Sequence, residues 1–249
     1  MINQTCFTTS YKQSDDVCMI VSYGYVIDYY SNLQGLSIQN SFFDELFKHY
    51  LNVAMRLLKD GISIDVERTL FHKCLNDNKK RERLSNYISL KEGIITIHDL
   101  SGAKLQRYTS NIFHFYCQDY CSFANINNVG IDGSTHLYQF NRELMSINQS
   151  TCDSFFPKNF IMERPIINHT NGISMDKIKE FLSVNANSLA IIVYQTKDGR
   201  NYHTIVCGQI NNAFFIRDPN LTTVSGTTYD GVSVDQIKAV ECILIKSVA

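Results

Sequence analysis

The segment GRNYHTIVCGQINNAFFIRDPN (199–220) is the most informative in the chain. Two runs rich in β-branched and aromatic residues flank Asn211-Asn212. Asparagine tolerates the positive φ that a two-residue hairpin turn requires, so the segment predicts an antiparallel hairpin. Pairing outward from the turn sets Ile210 opposite Ala213, Ile205 opposite Asp218 and His203 opposite Asn220. Side chains alternate along a strand, so His203, Ile205, Asp218 and Asn220 share one face. His203 and Asp218 become diagonal neighbours, roughly 7–8 Å apart at the backbone, a gap these side chains can bridge. A four-residue turn would make them direct opposites.

That pairing suits a general base. A carboxylate accepting the Nδ1 proton would fix the tautomer and stabilise the imidazolium, leaving Nε2 for proton transfer. The plainer alternative is a histidine that opens a strand and an aspartate that begins the DPN turn.

On either side, LAIIVYQT (189–196) and VECILIK (240–246) add two more β-rich runs, separated by Lys-Asp-Gly and Gly-rich turns. The four runs predict an antiparallel meander. SMDKIKEFLSV (174–184) ahead of them has a Ser N-cap and an Ile178/Phe181/Leu182 face, hence a short amphipathic helix. Further upstream, SDDVCMIVSYGYVIDYY (14–30) is apolar on nearly every face, which predicts a buried helix from Asp16 to Tyr30. Residues 41–59 carry Phe43, Leu46, Phe47, Tyr50, Leu51, Ala54, Leu57 and Leu58 at helical spacing, with Gly61 just beyond. A third helix is expected over 65–75. NDNKKRERLSNY (76–87) reads as a charged loop or a solvated helix start, and GIITIHDL (93–100) as a short strand. The stretch 101–165 is mixed. The class is α+β, with helices segregated to one side of the sheet.

Cys18 lies just behind Asp15 and Asp16, either of which could cap the helix. It then falls in the first turn, where unpaired N–H groups and the macrodipole favour a thiolate, and an imidazolium nearby would favour it further. Gln13, five residues upstream, is a candidate oxyanion-hole donor beside the Cys18 backbone N–H. The alternative for Cys18 is a small buried hydrophobe.

Composition bounds the rest. A chain of 249 residues, 44% hydrophobic and 19% charged, fits one globular domain over 1–249. A net charge of −1 gives no case for nucleic acid or an anionic membrane as main partner. MINQTCFTTSYKQS has no apolar core of a signal peptide, and no run approaches the roughly 20 residues of a membrane span. The eight cysteines lack a framework spacing and read as free thiols. A cytosolic protein is expected, or one exported unfolded by a bacterial injection system, which a leader rich in Asn, Gln, Ser and Thr would suit. His114, Cys117 and Cys121 recur at i, i+3, i+7, but without a fourth ligand they read as an apolar helix face rather than a metal site. His98-Asp99 and His136 lack motif context, and NKKRERL reads as a solvated charge run. No phosphate-binding loop or dinucleotide fingerprint is present, and no metal or organic cofactor is called for.

Gln and Cys at a helix start, His at a strand start and Asp at the end of the next strand resemble the papain-like cysteine peptidase superfamily. QSDDVC resembles its Gln…Cys helix entry, and YHTIVCGQINNAFFIRDPN its His-strand/Asp-strand hairpin. The likeness is nearest to the bacterial group of leader-peptide-processing peptidases and injected effector proteases. It covers about 13–30 and 174–220, leaving 36–170 as an insert that would shape the cleft and 174–249 as the sheet. Met19 and Ile20 follow Cys18 where papain has its CGSCW-type segment, and the Gln-to-Cys spacing is one residue shorter than in papain. The resemblance implies a cysteine protease acting through an acyl-enzyme on a protein or peptide, as a bacterial effector or toxin cleaving a host protein. Cys18 would be the nucleophile, His203 the base, Asp218 its orienting partner and Gln13 the oxyanion donor. Asn220 is the alternative orienting residue, since papain itself uses Asn there. Related folds use the same chemistry for deamidation, transglutamination or acyl transfer, and a non-catalytic binding protein is the remaining alternative.

Overall fold

The computed structural model describes residues 6–59, 62–120, 135, 138 and 159–248. Gly61, Cys121 and His136 lie outside these. The chain divides into one unit of Met1–Gln13, Cys18–Phe43 and Met145–Ala249, and a second of Ser14–Val17 and Asp44–Leu144. Secondary structure is mixed helix and antiparallel sheet. Among the described residues, no helix is long and apolar enough to cross a membrane.

The first unit is built on a seven-stranded sheet: β1 (Phe160–Met162), β2 (Ile166–Ile167), β3 (Leu189–Gln195), β4 (Tyr202–Ile210), β5 (Ala213–Arg217), β6 (Val224–Ser225) and β7 (Ala239–Ser247). Their order is β1-β7-β3-β4-β5-β6, with β2 also pairing with β7. The decisive hairpin has the expected register, from Ile210 opposite Ala213 to Val206 opposite Arg217. Asn211 and Asn212 adopt φ of 50° and 63°, as a two-residue turn of this kind requires.

The meander stops after three strands. The C-terminal strand β7 pairs with β3, not with the outer side of β5. Its residues from Ala239 to Ile243 are all buried. A strand covered on both faces belongs inside a sheet, and the two-residue β6 takes the edge beside β5 instead. The added strands β1 and β2 come from NFIMERPIINH, where no strand was expected.

Helices cover both faces of this sheet, contrary to the one-sided arrangement expected. Met175, Ile178 and Leu182 of α6 (Met175–Val184) pack with Ala190, Ile192, Tyr194, Ile205, Cys207 and Ile216. Strand alternation turns Phe215 and Arg217 to the opposite face. There Phe7 bridges Phe215 and Tyr25 of α1 (Cys18–Leu33), with ring centroids 5.8 and 6.1 Å away. Every residue of α1 from Met19 to Ser31 is buried, as its all-round apolar pattern requires. The helix begins at Cys18 rather than Asp16. Asp15 does not serve as its cap: its carboxylate takes the Asp16 N–H and lies 3.5 Å from Arg107 Nε.

Helix α2 (Ser41–Lys59) carries the chain into the second unit, which adds α3 (Ile64–Cys74), α4 (Asn78–Lys91) and α5 (Gly102–His114). The charged run around NKKRERL is helical from its start, because Asp77 caps the Lys80 N–H at 3.1 Å. GIITIHDL is not a strand. Gly93, at φ 74°, closes α4 with Gly93 N–H on Leu90 O and Ile94 N–H on Ser89 O, and a short 3₁₀ turn follows at Ile97–Asp99. Helix α5 runs on into a π-helical turn, Phe115–Tyr120, tied to α4 by an Arg83 Nε–Asp119 Oδ2 pair at 3.0 Å. Burial lowers the His114 pKa.

Candidate active site

The hairpin places His203 at the start of β4 and Asp218 one residue beyond β5. Their side chains meet: His203 Nε2 lies 2.8 Å from Asp218 Oδ1. Both are buried, His203 at 5% exposure and Asp218 at 0%. Asp218 is held from two further directions. Asn220 N–H donates to Oδ1 at 2.8 Å, and Tyr229 N–H donates to Oδ2 at 2.9 Å. Three donors satisfy a fully buried carboxylate without a metal or an arginine fork.

The imidazole is turned opposite to the expected sense. With Nε2 on Asp218, Nδ1 is the nitrogen left for Cys18. The reason lies in the approach: Asp218 reaches the ring from the strand next door, and the far nitrogen is the one it meets. Tyr229 and Tyr194 wall the ring in edge-to-face contacts, with centroids 4.9 and 5.9 Å away.

Cys18 is the first residue of α1 and is half-buried. Burial pushes its thiol pKa up, but hydrogen bonding to His203, the imidazolium charge, and hydrogen bonds from the Thr204 side chain and backbone outweigh burial and leave it lowered. For His203, burial opposes the charge. Hydrogen bonds to Asp218 and Cys18, together with their charges, overcome that opposition and push the pKa up to about 10. The opposite directions of the two shifts describe a mutually supporting thiolate–imidazolium pair.

The other cysteines with a resolved shift go the other way. Burial pushes Cys6 up to about 11 and Cys242 up to about 12, and raises Cys74 and Cys207 as well. Among these, Cys18 alone has an acidic thiol.

Gln13 is anchored to the loop that follows Asp218. Its backbone N–H donates to Pro219 O at 2.9 Å, and its side-chain Nε2 donates to Asn220 Oδ1 at 3.0 Å. Asn220 therefore engages Gln13, while the imidazole bond goes to Asp218. The Gln13 amide has a second hydrogen to offer, and among the described residues Gln13 Oε1 is buried without a hydrogen-bond partner.

The structure thus brings Cys18, His203 and Asp218 into one connected group, to which Asn220 is joined through its N–H on Asp218 and Gln13 through its amide on Asn220. Two contributors were not read from the sequence. Thr204 follows His203, and strand alternation alone gave no reason to expect it at the thiol. Tyr229 sits in the GTTYDG loop, which carries only a generic turn signature. No family model, curated protein or solved structure matches this chain.

Proposed function

We propose that the chain is a papain-like cysteine protease. The observation that supports this reading is the position of His203 between Asp218 and Cys18, with the thiol made more acidic and the imidazole more basic. The Cys18 thiolate attacks a peptide carbonyl carbon, and the developing oxyanion is met by the Cys18 N–H and the free hydrogen of the Gln13 amide. His203, charged in the resting state, gives its Nδ1 proton to the leaving amine as the C–N bond breaks. A thioester remains. Neutral His203 then takes a proton from water, hydroxide adds to the thioester, and Cys18 leaves as thiolate. Asp218 holds the ring and stabilises the imidazolium at both stages.

The test is incubation with a denatured proteome-derived peptide mixture, followed by mass spectrometry of the products. Cleavage at peptide bonds is expected, lost in Cys18→Ala and in His203→Ala, each of which should retain the wild-type circular dichroism. Asp218→Ala should keep residual turnover, because an orienting group contributes less than the nucleophile or base. A glutamine-to-glutamate mass shift, or an added group, without cleavage would replace the protease by a deamidase or a transferase. Uniform slow alkylation of all cysteines would remove the enzyme reading altogether.

A further inference from the structure

Residues 7–13, which deliver Gln13, form neither helix nor strand. Several of their backbone groups are instead paired with side chains from α1 and β5. Asp28, at 0% exposure, accepts Thr8 N–H at 2.9 Å and Thr9 N–H at 3.1 Å, and also the Thr8 hydroxyl. Tyr25 Oη donates to Tyr11 O at 2.7 Å. Arg217 bonds both this arm and the loop after β5: Nη2 donates to Thr9 O at 3.1 Å and Tyr11 O at 3.2 Å, while Nη1 donates to Leu221 O at 2.7 Å. Its guanidinium lies over the Tyr25 ring, 4.1 Å from the centroid.

Arg217 is at 0% exposure, and its hydrogen bonds go to main-chain carbonyls rather than a carboxylate. A buried cation of this kind is costly, and an apolar residue of similar volume would often support stability as well or better. What an apolar residue cannot do is fix three carbonyls from two segments in one plane. Two of those carbonyls belong to the arm that ends at Gln13. The third belongs to Leu221, one residue after Asn220, which holds the Gln13 amide.

We propose that Arg217 is a positioning residue for the oxyanion donor: its guanidinium fork registers the 7–13 arm against the 218–221 loop so that the Gln13 amide is presented to the reacting carbonyl. This rests on the reading of Gln13 as an oxyanion donor. Arg217 acts through main-chain carbonyls and touches no reacting atom. Lysine keeps the charge but lacks the fork, so it cannot hold the same three acceptors.

The test uses two small probes on the full chain. Iodoacetamide alkylates Cys18 without forming an oxyanion and reports the thiolate. A short peptide aldehyde adds to Cys18 as a hemithioacetal whose oxygen occupies the oxyanion position, and its affinity is read as protection of Cys18 from alkylation. Gln13→Ala should weaken aldehyde binding roughly tenfold or more. Arg217→Lys should weaken it to a similar degree while leaving alkylation within about twofold of wild type. The double variant should lose no more than about twofold beyond either single one, because both changes remove the same contact. Wild-type aldehyde affinity in Arg217→Lys, or losses that multiply in the double variant, would overturn the proposal while leaving Gln13 in its role. Wild-type affinity in Gln13→Ala would remove the oxyanion reading, and the proposal with it. If Arg217→Lys fails to fold, Tyr25→Phe decides. It deletes one bond to Tyr11 O and should weaken aldehyde binding measurably in the wild type but not in Gln13→Ala; no loss in either background overturns the proposal.

Discussion

Replacing Asp218 by Asn removes the carboxylate charge and keeps the shape, so it isolates the electrostatic support given to His203. The structure sets the scale. Moving an imidazole from its ordinary 6.5 to about 10 corresponds to roughly 5 kcal/mol of preference for the charged ring, at about 1.4 kcal/mol per pH unit. That preference is shared between Asp218, 2.8 Å from Nε2, and the Cys18 thiolate on the other nitrogen. Burial opposes the charged ring, so the two supports together exceed this net value, and losing one should cost on the order of 2 kcal/mol or more, roughly 30-fold in the thiolate–imidazolium equilibrium. Little reactivity is left to the thiol by itself. At its ordinary 9.0 a thiol is only about 1% ionised at pH 7, and burial without an imidazolium takes Cys18 lower still. The assay is the pH dependence of Cys18 alkylation by iodoacetamide, read peptide by peptide. In Asp218→Asn the rate near neutral pH should fall by roughly 10- to 30-fold, and the midpoint of the profile should rise by more than one pH unit. A folded variant with the wild-type rate and midpoint would refute the argument, because Asp218 would then contribute nothing to the ion pair.

The pair should also govern stability against pH. His203 has a raised pKa in the folded state, so its contribution is complete below about 6.5 and is lost as pH rises through about 10; urea titrations of wild type and His203→Gln should converge across that window. Cys18 has the opposite sign, contributing above 9.0 and losing that contribution as pH falls through its lowered value, so Cys18→Ala should show its largest deficit on the alkaline side. In the sheet, Gly208→Ala should be destabilising by about 1–3 kcal/mol in chemical denaturation. Its new Cβ would sit 2.7 Å from Phe215 Cε1 and 2.8 Å from Leu189 Cδ2, with Phe215 Cζ nearer still, and both side chains are fully buried.

What could be read from the sequence was whatever is fixed locally. The Asn211-Asn212 turn determines the register of β4 and β5, and register alone brings His203 to Asp218. The all-apolar pattern of α1 likewise declared a helix buried on every side. The position of β7 could not be read in this way, because pairing with β3 rather than β5 is decided by which edge must be covered. GIITI misled for a different reason: its glycine ends α4 in a left-handed conformation, and the apolar residues after it do not alternate across a sheet. The ring orientation of His203 was missed because sequence spacing places a side chain on a face but does not turn it. The contacts of Arg217 could not be read either, since its acceptors are main-chain carbonyls, two of them some two hundred residues away, and carbonyls carry no sequence signature.

Arg217 and Asp218 also explain why this hairpin has to hold one register. They are consecutive residues, so alternation sends them to opposite sides: Arg217 to the 7–13 arm and α1, Asp218 to His203. A slip of one residue between β4 and β5 would exchange the two faces and undo both arrangements together. Two independent features oppose such a slip. The positive φ angles of Asn211 and Asn212 fix the loop at two residues. Across the ladder, Phe215 lies directly opposite Gly208, over the space a side chain there would fill. Moving Phe215 one place in either direction would bring its ring against Cys207 or Gln209, each of which carries a side chain. The glycine at 208 therefore acts on the site indirectly: it admits Phe215, Phe215 locks the register, and the register assigns one residue to the 7–13 arm and the next to the imidazole.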